Sequence, residues 1–185
     1  MSLTLKETPI TGMVLVQGQP FRDRRGFFYR AFCDQQLASV LGGRIIRQIN
    51  ISQTMEIGAI RGLHFQTPPA TEMKLVRCLR GRVWDVVVDL REGSKTFLEW
   101  HGVELEPNAS IMVVIPEGCA HGFQVLETGS ELLYLHTAPY TPTAEGGLRY
   151  NDPRLGISWP LVPTDLSQRD QTHPLLADEF SGISL

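Results

Sequence analysis

Cysteine is scarce in this sequence of 185 residues, and it has no long apolar run. The three cysteines, Cys33, Cys78 and Cys119, are scattered and odd in number, which fits neither a disulfide framework nor a closely spaced zinc site. We therefore expect buried thiols in a reducing compartment. No segment approaches the roughly 20 apolar residues needed to cross a bilayer, and residues 1–11 lack the apolar stretch of a signal peptide. The sequence predicts a cytoplasmic protein with no membrane partner.

Charge of one sign is not in excess either. Lys and Arg number 17 against 20 Asp and Glu, a formal net charge of -3, and no run of like charges stands out. A broadly basic surface for nucleic acid is therefore not expected, although a local basic pocket is possible. The apolar content of 42% argues against disorder, and the length fits one unit. We predict a single domain over residues 1–185 that binds no nucleic acid.

Helix signals are few. The best lies near the N-terminus at residues 34–41, where Asp34 would cap the first turn and Gly42 and Gly43 would end the helix. We predict one short N-terminal helix there.

The sequence is rich instead in short strands. Residues 44–54 alternate, with Gln48, Asn50 and Ser52 on one face and mostly isoleucine on the other. Seven more strands are predicted at residues 59–65, 74–79, 82–89, 96–104, 110–115, 122–126 and 131–137. Their separators carry Gly, Pro or Asn and leave no room for crossover helices, which favours a sandwich or barrel. We predict an all-β jelly-roll barrel, covered by a packed irregular C-terminal segment after Tyr140.

Two histidines lie in sequence motifs where catalytic or metal-binding residues can occur. His64 lies in or at the end of a strand, and alternation puts it on the side opposite Arg61. His121 follows Pro116-x-Gly118, and this Pro-x-Gly-x-x-His pattern resembles the second motif of the cupin superfamily, whose fold is a small jelly-roll barrel. Metal-binding cupins also carry a closely spaced pair of histidines, whereas His64 stands alone. Because a tight metal site needs three or four ligands, we predict no metal.

Two histidines in one barrel mouth suggest acid–base chemistry, since a neighbouring carboxylate can poise an imidazole near neutral pH. Candidate carboxylates are Asp85 and Asp89, on one face of a predicted strand, and Asp170. Lys74 would stabilise an enolate oxygen electrostatically. Tyr134 carries a phenol able to donate a proton, although periodicity alone favours an ordinary core or rim aromatic. These residues predict an acid–base barrel and identify no substrate.

Longer motifs follow one another over roughly residues 15–175. They are Asp23-x-Arg-Gly-Phe-Phe28, Gln48-x-Asn-x-Ser52, Arg61-Gly-Leu-His-x-Gln66, Lys74-Leu-Val76, Asp89-Leu-Arg91, Ile115-Pro-x-Gly-x-Ala-His-Gly-Phe123, Asn151-Asp152, Trp159-Pro160 and Leu166-Ser-x-x-Asp170. In this order they resemble the dTDP-4-dehydrorhamnose 3,5-epimerase family. The resemblance implies a cupin-type epimerase that inverts C3, C5 or both of a nucleotide-linked 4-keto-6-deoxy sugar. Proton transfer through a C4 enolate needs no cofactor.

The resemblance also implies catalytic roles. His64 matches the general base of the family, and Asp170 matches the carboxylate that orients it. Lys74 matches the residue that steadies the enolate, and Tyr134 matches the acid that reprotonates from the other face. His121 matches a second histidine of the active site.

Five more positions match contacts to a nucleotide diphosphate. Arg25 and Arg61 match phosphate-binding positions, which suits the planar guanidinium, although the residues alone would favour a solvated turn charge for Arg25. Gln48 and Asn50 match residues along the cleft, and Tyr140 matches a position stacked near the nucleotide. The resemblance implies a nucleotide-diphosphate sugar as substrate and a homodimer that shares strands across its interface.

Two positions depart from the family pattern. Arg30 stands where a glutamate near the nucleotide base is usual, and Leu135 follows Tyr134 where lysine is usual. These changes leave open the base and the number of carbons inverted. A cytidine sugar or a single inverted carbon is one alternative. A keto-isomerase, a metal-using cupin, or a barrel that binds a sugar nucleotide without converting it are others.

Overall fold

Strands dominate the computed structural model, which describes residues 2–185. The strands are β1 (Leu3–Glu7), β2 (Val14–Gly18), β3 (Phe21–Asp23), β4 (Gly26–Phe28), β5 (Gln48–Thr54), β6 (Ile60–Gln66), β7 (Lys74–Arg80), β8 (Val83–Asp89), β9 (Trp100–Leu105), β10 (Ile111–Ile115), β11 (Cys119–Val125), β12 (Ser130–His136) and β13 (Glu145–Gly147). The α-helices are α1 (Ala38–Leu41) and α2 (Gln168–Thr172).

Two antiparallel sheets face each other. One has six strands in the order β1-β2-β10-β7-β12-β5, and the other has five in the order β13-β6-β11-β8-β9. Val76 and Val113 of the first sheet and Val87 and Phe123 of the second belong to one core cluster, each at most 2% exposed. Alternate residues of both sheets are thus buried between them, which confirms the predicted all-β jelly roll.

The eight predicted strands correspond to β5 to β12, with shifted ends. The strand predicted from residue 96 begins only at Trp100. Before it, the Thr96 hydroxyl donates to Asp89 Oδ2 at 2.7 Å, and Leu98 has a φ of 62°, so this segment forms turns. β1 to β4 and β13 were not predicted, because they are short or carry no strict alternation.

The predicted N-terminal helix exists but is shorter than predicted. Asp34 does not cap it: the carboxylate accepts a hydrogen bond from the backbone of Gln35, and the N-cap position is Leu37, with no side-chain cap. The C-terminal end was predicted correctly, because Gly42 ends α1 with a φ of 56°.

The chain after Tyr140 packs irregularly against the five-stranded sheet, as predicted. β13 pairs with β6, and Leu148 and Leu155 are buried in a cluster that Trp159 flanks. The Trp159 indole N–H donates to the Tyr150 carbonyl at 2.8 Å. This segment includes α2, which reaches the site described below. Among the helices of residues 2–185, none has the length and apolarity to span a bilayer.

Candidate active site

A cavity of about 640 Å³ opens between the two sheets at the side where β5 and β6 lie. Residues of β5, β7 and β12 line one wall, and residues of β6 and β11 line the other. Of the ten predicted site residues, the cavity wall includes Asn50, Arg61, His64, Lys74, His121, Tyr134 and Tyr140. The sequence therefore identified most of the polar lining.

His64 is held by a carboxylate from the far end of the chain. Its Nε2 lies 2.7 Å from Asp170 Oδ1, although 106 residues separate the two. Ser167 is the N-cap of α2, and its hydroxyl accepts the Asp170 backbone N–H at 3.1 Å, which fixes where that carboxylate points. Burial alone raises the pKa of Asp170, but the His64 hydrogen bond and charge, with those from Ser167 and Gly62, bring it below its ordinary value. Asp170 is therefore ionised beside the imidazole.

The prediction that Arg61 and His64 lie on opposite sides of their strand is wrong. His64 pairs with His121 and Arg61 with Phe123, so the register shifts between them. Gly62, at a φ of 119°, allows this, because a Cβ there would lie only 2.6 Å from Gly122 Cα. The irregularity turns both Arg61 and His64 into the cavity.

The three candidate carboxylates have different partners. Besides Asp170 on His64, Asp85 Oδ2 lies 2.7 Å from His121 Nε2, and the Asp85 side chain is fully buried. Asp89 binds no histidine. It accepts hydrogen bonds from Arg91 and two hydroxyl groups, which outweigh the effect of burial and lower its pKa to about 2.

Lys74 opens β7, as predicted, and is only 8% exposed. Its ammonium donates to the His64 carbonyl at 3.3 Å and lies 3.3 Å from Glu72 Oε1. A fixed cation thus stands beside His64 in a largely buried position, where its field is stronger than in water.

Tyr134 faces the histidines from the six-stranded sheet. Its hydroxyl is 3.2 Å from Ser52 Oγ, and its ring centroid is 6.2 Å from that of His121. Burial raises its pKa well above the ordinary value, so the phenol keeps its proton. An imidazole on one wall and a protonated phenol on the other can act on opposite faces of a molecule between them.

Further cavity residues can bind an anion and a ring. Arg61 donates to Thr54 Oγ1 at 2.8 Å and, within residues 2–185, forms no ion pair with a carboxylate. Tyr140 is 52% exposed at the mouth. Gln48 does not line the cavity, but its side-chain Oε1 accepts a hydrogen bond from the Tyr140 backbone N–H at 3.0 Å and so positions that residue.

Arg25 is the one predicted residue that lies away from this site. It stands on the β3–β4 hairpin, pairs with Asp23 at 2.6 Å, and its side chain is 82% exposed. Within one chain, the structure does not bring it to the cavity.

Four charged or titratable residues of the site were not predicted: Glu72, His136, Glu145 and Arg169. His136 lines the cavity, and its Nδ1 is 2.7 Å from Glu72 Oε2. Its position two residues after Tyr134 on a predicted strand puts both on one face, which was the available signal. Arg169 reaches His64 Nε2 at 3.0 Å, a contact that no sequence pattern indicated.

One group of side chains has the composition of a metal site. The ligand atoms of His64, Asp170 and His173 lie within 4.8 Å of one another. However, the Arg169 guanidinium stands 3.0 Å from the same nitrogen of His64, so a cation there would meet an existing positive charge. The arrangement favours an imidazole–carboxylate pair over a metal centre.

The fold and the site together define a jelly-roll enzyme of the acid–base type. The family model for dTDP-4-dehydrorhamnose 3,5-epimerase matches residues 7–178, and the chain belongs to this family. Its members are isomerases that epimerise C3 and C5 of a 4-keto-6-deoxy sugar nucleotide.

Individual relatives agree over nearly the whole chain. The dTDP-4-dehydrorhamnose 3,5-epimerase of Salmonella typhimurium is 39% identical over 178 residues, 95% of this chain and 96% of the relative. The crystal structure of the enzyme from Elizabethkingia anophelis superposes with a TM-score of 0.91 at 36% identity, covering 97% of this chain and 100% of that one. The Legionella pneumophila dTDP-6-deoxy-D-glucose-3,5-epimerase, solved with dTDP-4-keto-L-rhamnose, has a TM-score of 0.89 at 38% identity, covering 94% and 92%.

Proposed function

We propose that this chain inverts C3 and C5 of a nucleoside diphosphate 4-keto-6-deoxy sugar with His64 as base and Tyr134 as acid. One observation carries the assignment of these roles: the His64–Asp170 pair and the buried Tyr134 phenol lie on facing walls of one cavity. Inversion removes a proton from one face of a carbon and returns it to the other, so it needs two such groups.

The first step is proton abstraction beside the C4 ketone. If Nε2–H of His64 donates to Asp170, Nδ1 is the nitrogen that accepts the proton from carbon. The carboxylate then stabilises the imidazolium that forms. Because Asp170 is buried and ionised, its charge acts at short range with little screening.

Abstraction leaves an enolate with negative charge on the C4 oxygen. The Lys74 ammonium, buried and fixed by the His64 carbonyl and Glu72, supplies the compensating charge. Charge stabilisation at a preorganised site of this kind is a large contribution to the rate.

Tyr134 then gives its proton to the opposite face of the carbon. Its raised pKa keeps the phenol protonated before each transfer. Ser52, at 3.2 Å, is the group through which the phenolate can recover a proton.

The nucleotide we propose is a thymidine diphosphate, held with Arg61 at the phosphates and Tyr140 near the base. The dTDP sugar bound by the Legionella relative supports this choice. The Leu135 departure does not alter the cavity, since that side chain is 6% exposed within the core cluster of Leu75 and Val114. Arg30 is the departure that bears on the base. Melting temperatures with dTDP, CDP, UDP and GDP test it, and dTDP should give the largest rise.

Deuterium wash-in tests the proposed function. In D₂O the wild-type enzyme is expected to place deuterium at C3 and C5 of the 4-keto-6-deoxy sugar nucleotide, detected by NMR. His64→Ala should lose this exchange by about 10²-fold or more, because the base is gone. His101→Ala, a half-buried histidine on β9 outside the cavity, is the matched control. Full exchange in His64→Ala would contradict the assignment of the base.

The chemistry proposed here moves protons only, so we propose that no redox cofactor or metal takes part. We also propose that residues 1–185 fold as one domain located in the cytoplasm. Three free thiols, of which Cys78 and Cys119 are buried, support a reducing compartment.

We further propose a homodimer in which Arg25 reaches the partner's cavity. Phe21, Phe27 and Phe28 on the β3–β4 hairpin are 54–66% exposed, and Ile49 and Ile51 on the edge strand β5 are 61% and 64% exposed. Apolar surface of this kind is costly in water and typical of an interface. Arg25 stands on the same hairpin, so burying it against a second copy would carry the guanidinium there.

A further inference from the structure

His136 lines the cavity, but the proposed mechanism assigns it no role. Its Nδ1 lies 2.7 Å from Glu72 Oε2, and the Glu72 side chain is 7% exposed. Burial raises the pKa of Glu72, but the hydrogen bond and charge of His136 and the charge of Lys74 outweigh it and leave the pKa lowered. Glu72 is therefore an anion that holds Nδ1–H. Nε2 is then directed toward Asn50, whose Nδ2 is 3.4 Å away.

The position of His136 along the cavity is intermediate between two ends. Tyr134, the proposed acid, lies two residues earlier, and the two rings stack with centroids 6.0 Å apart. In the other direction, His136 pairs across the sheet with Gln48, which holds Tyr140 at the mouth. The diphosphate of a nucleotide sugar lies between its sugar and its nucleoside. With the sugar at Tyr134 and the nucleoside at Tyr140, the diphosphate lies beside His136. Arg61, which donates to Thr54 at the other end of β5, reaches the same diphosphate only by turning along the cavity.

The fixed charges of the cavity do not suit such an anion unless histidines carry protons. Three cations, Arg61, Lys74 and Arg169, contribute to it. Four carboxylates oppose them: Glu72 and Glu145 on the wall, and Asp85 and Asp170 bound to the lining histidines. With neutral histidines the cavity has one net negative charge, and a diphosphate with two more would be repelled. Each of the three lining histidines directs one nitrogen to a carboxylate. His64 and His121 lie beside the proposed sugar site, whereas His136 lies at the diphosphate level.

We propose that His136 is a substrate-binding residue that contacts the diphosphate as an imidazolium and takes up a proton when the nucleotide binds. This rests on the proposed function. The charged and titratable groups that face the ring are Glu72 and Lys74 from the β7 side and Tyr134 from its own strand. β5 contributes only uncharged side chains, of which Gln48 and Asn50 are nearest. The opposite wall and the mouth bring the remaining charged and titratable groups to the same cavity: Arg61, His64, His121, Tyr140, Glu145 and Arg169.

Calorimetric titration of the full chain with dTDP-glucose tests this inference. Its two phosphates each carry one charge that does not titrate near neutral pH, and it has no C4 ketone to react. At pH 6.5, in buffers of different ionisation enthalpy, wild-type binding should take up protons, and its Kd should rise with pH. His136→Gln keeps an uncharged donor near Nε2, and Glu72 keeps Lys74 as a partner. This variant should bind dTDP-glucose about tenfold more weakly at pH 6.5, lose the proton uptake that the wild type shows, and show little pH dependence. His101→Gln on β9 is the matched control and should behave as wild type.

Two results would overturn the inference. One is unchanged dTDP-glucose affinity and proton uptake in His136→Gln. The other is a loss of deuterium wash-in rate with dTDP-glucose affinity unchanged, which would put His136 in the chemistry. If the variant does not fold, the wild-type titrations alone decide, because absence of proton uptake also contradicts the proposal. Failure of the proposed function is a separate result: wild type would then show no wash-in at all.

Discussion

The carboxylate partners of the histidines decide the chemistry at the scale of single residues. Residue patterns alone left Asp85, Asp89 and Asp170 as equal candidates, because 106 residues of intervening fold bring His64 and Asp170 together. The family resemblance assigned Asp170 to His64 and left the Asp85 partner of His121 unassigned. His64, Lys74 and Tyr134 could be identified, since the motifs around them resemble a family. His136 and Arg169 belong to no such motif and were missed.

In the proposed mechanism His64 abstracts a proton and Tyr134 donates one to the opposite face, so a substitution of Tyr134 should separate the two steps. Tyr134→Phe removes the phenol proton but leaves the His64–Asp170 pair intact, so exchange of deuterium into the sugar should persist. Formation of the inverted product should fall by about 10²-fold or more. NMR of the sugar protons in D₂O measures both quantities in one sample. Inverted product at the wild-type rate would remove Tyr134 from the mechanism.

Asp89 makes the fold sensitive to acid. Its pKa falls from 3.8 to about 2 because hydrogen bonds from Arg91, Ser94 and Thr96 outweigh burial. A folded-state pKa below the unfolded value stabilises the protein above pH 4, and this contribution, about 2 kcal/mol, is lost as the pH falls toward 2. Urea unfolding of wild type and Asp89→Asn at pH 5 and pH 2.5 should show that part of the loss in wild type only. Asp178→Asn, at an exposed carboxylate, should follow wild type.

At the scale of elements, α2 is the helix that positions Asp170. The helix has only five residues, and the Ser167 cap bonds the Asp170 backbone directly. Ser167→Ala should lower stability by about 1 kcal/mol and slow deuterium exchange by roughly fivefold, because the carboxylate loses its fixed direction. Ser167→Thr retains a capping hydroxyl and should restore both. An alanine variant with unchanged exchange would show that His64 alone orients Asp170.

The strands also show where sequence periodicity fails to predict the structure. Strict alternation identified β5, whose polar face lines the cavity. It failed on β6, where the register shift moves Arg61 to the side of His64. It also failed at residues 96–99, where hydrogen bonds to Asp89 replace the expected strand. Local contacts of this kind depend on distant chain segments, which periodicity does not contain.

At the scale of the whole molecule, the proposed dimer makes each active site a product of two chains. Mixing Arg25→Ala chains with His64→Ala chains should then recover activity, because one cavity in each heterodimer has both residues. An equal mixture would reach about one quarter of the wild-type rate under random pairing. Each variant alone should be slow. Recovery that does not exceed the sum of the separate variants would show that Arg25 acts within its own chain or not at all.

The close contact between Gly62 and Gly122 restricts which residues can replace either glycine in this enzyme. A side chain at Gly62 would collide with the Gly122 Cα at 2.6 Å, and one at Gly122 would collide with the Arg61 carbonyl at 2.8 Å. Any larger residue at either position would force β6 and β11 apart and so separate the imidazoles of His64 and His121. In a saturation library these two positions, which contribute no functional group, should be as intolerant as the histidines themselves.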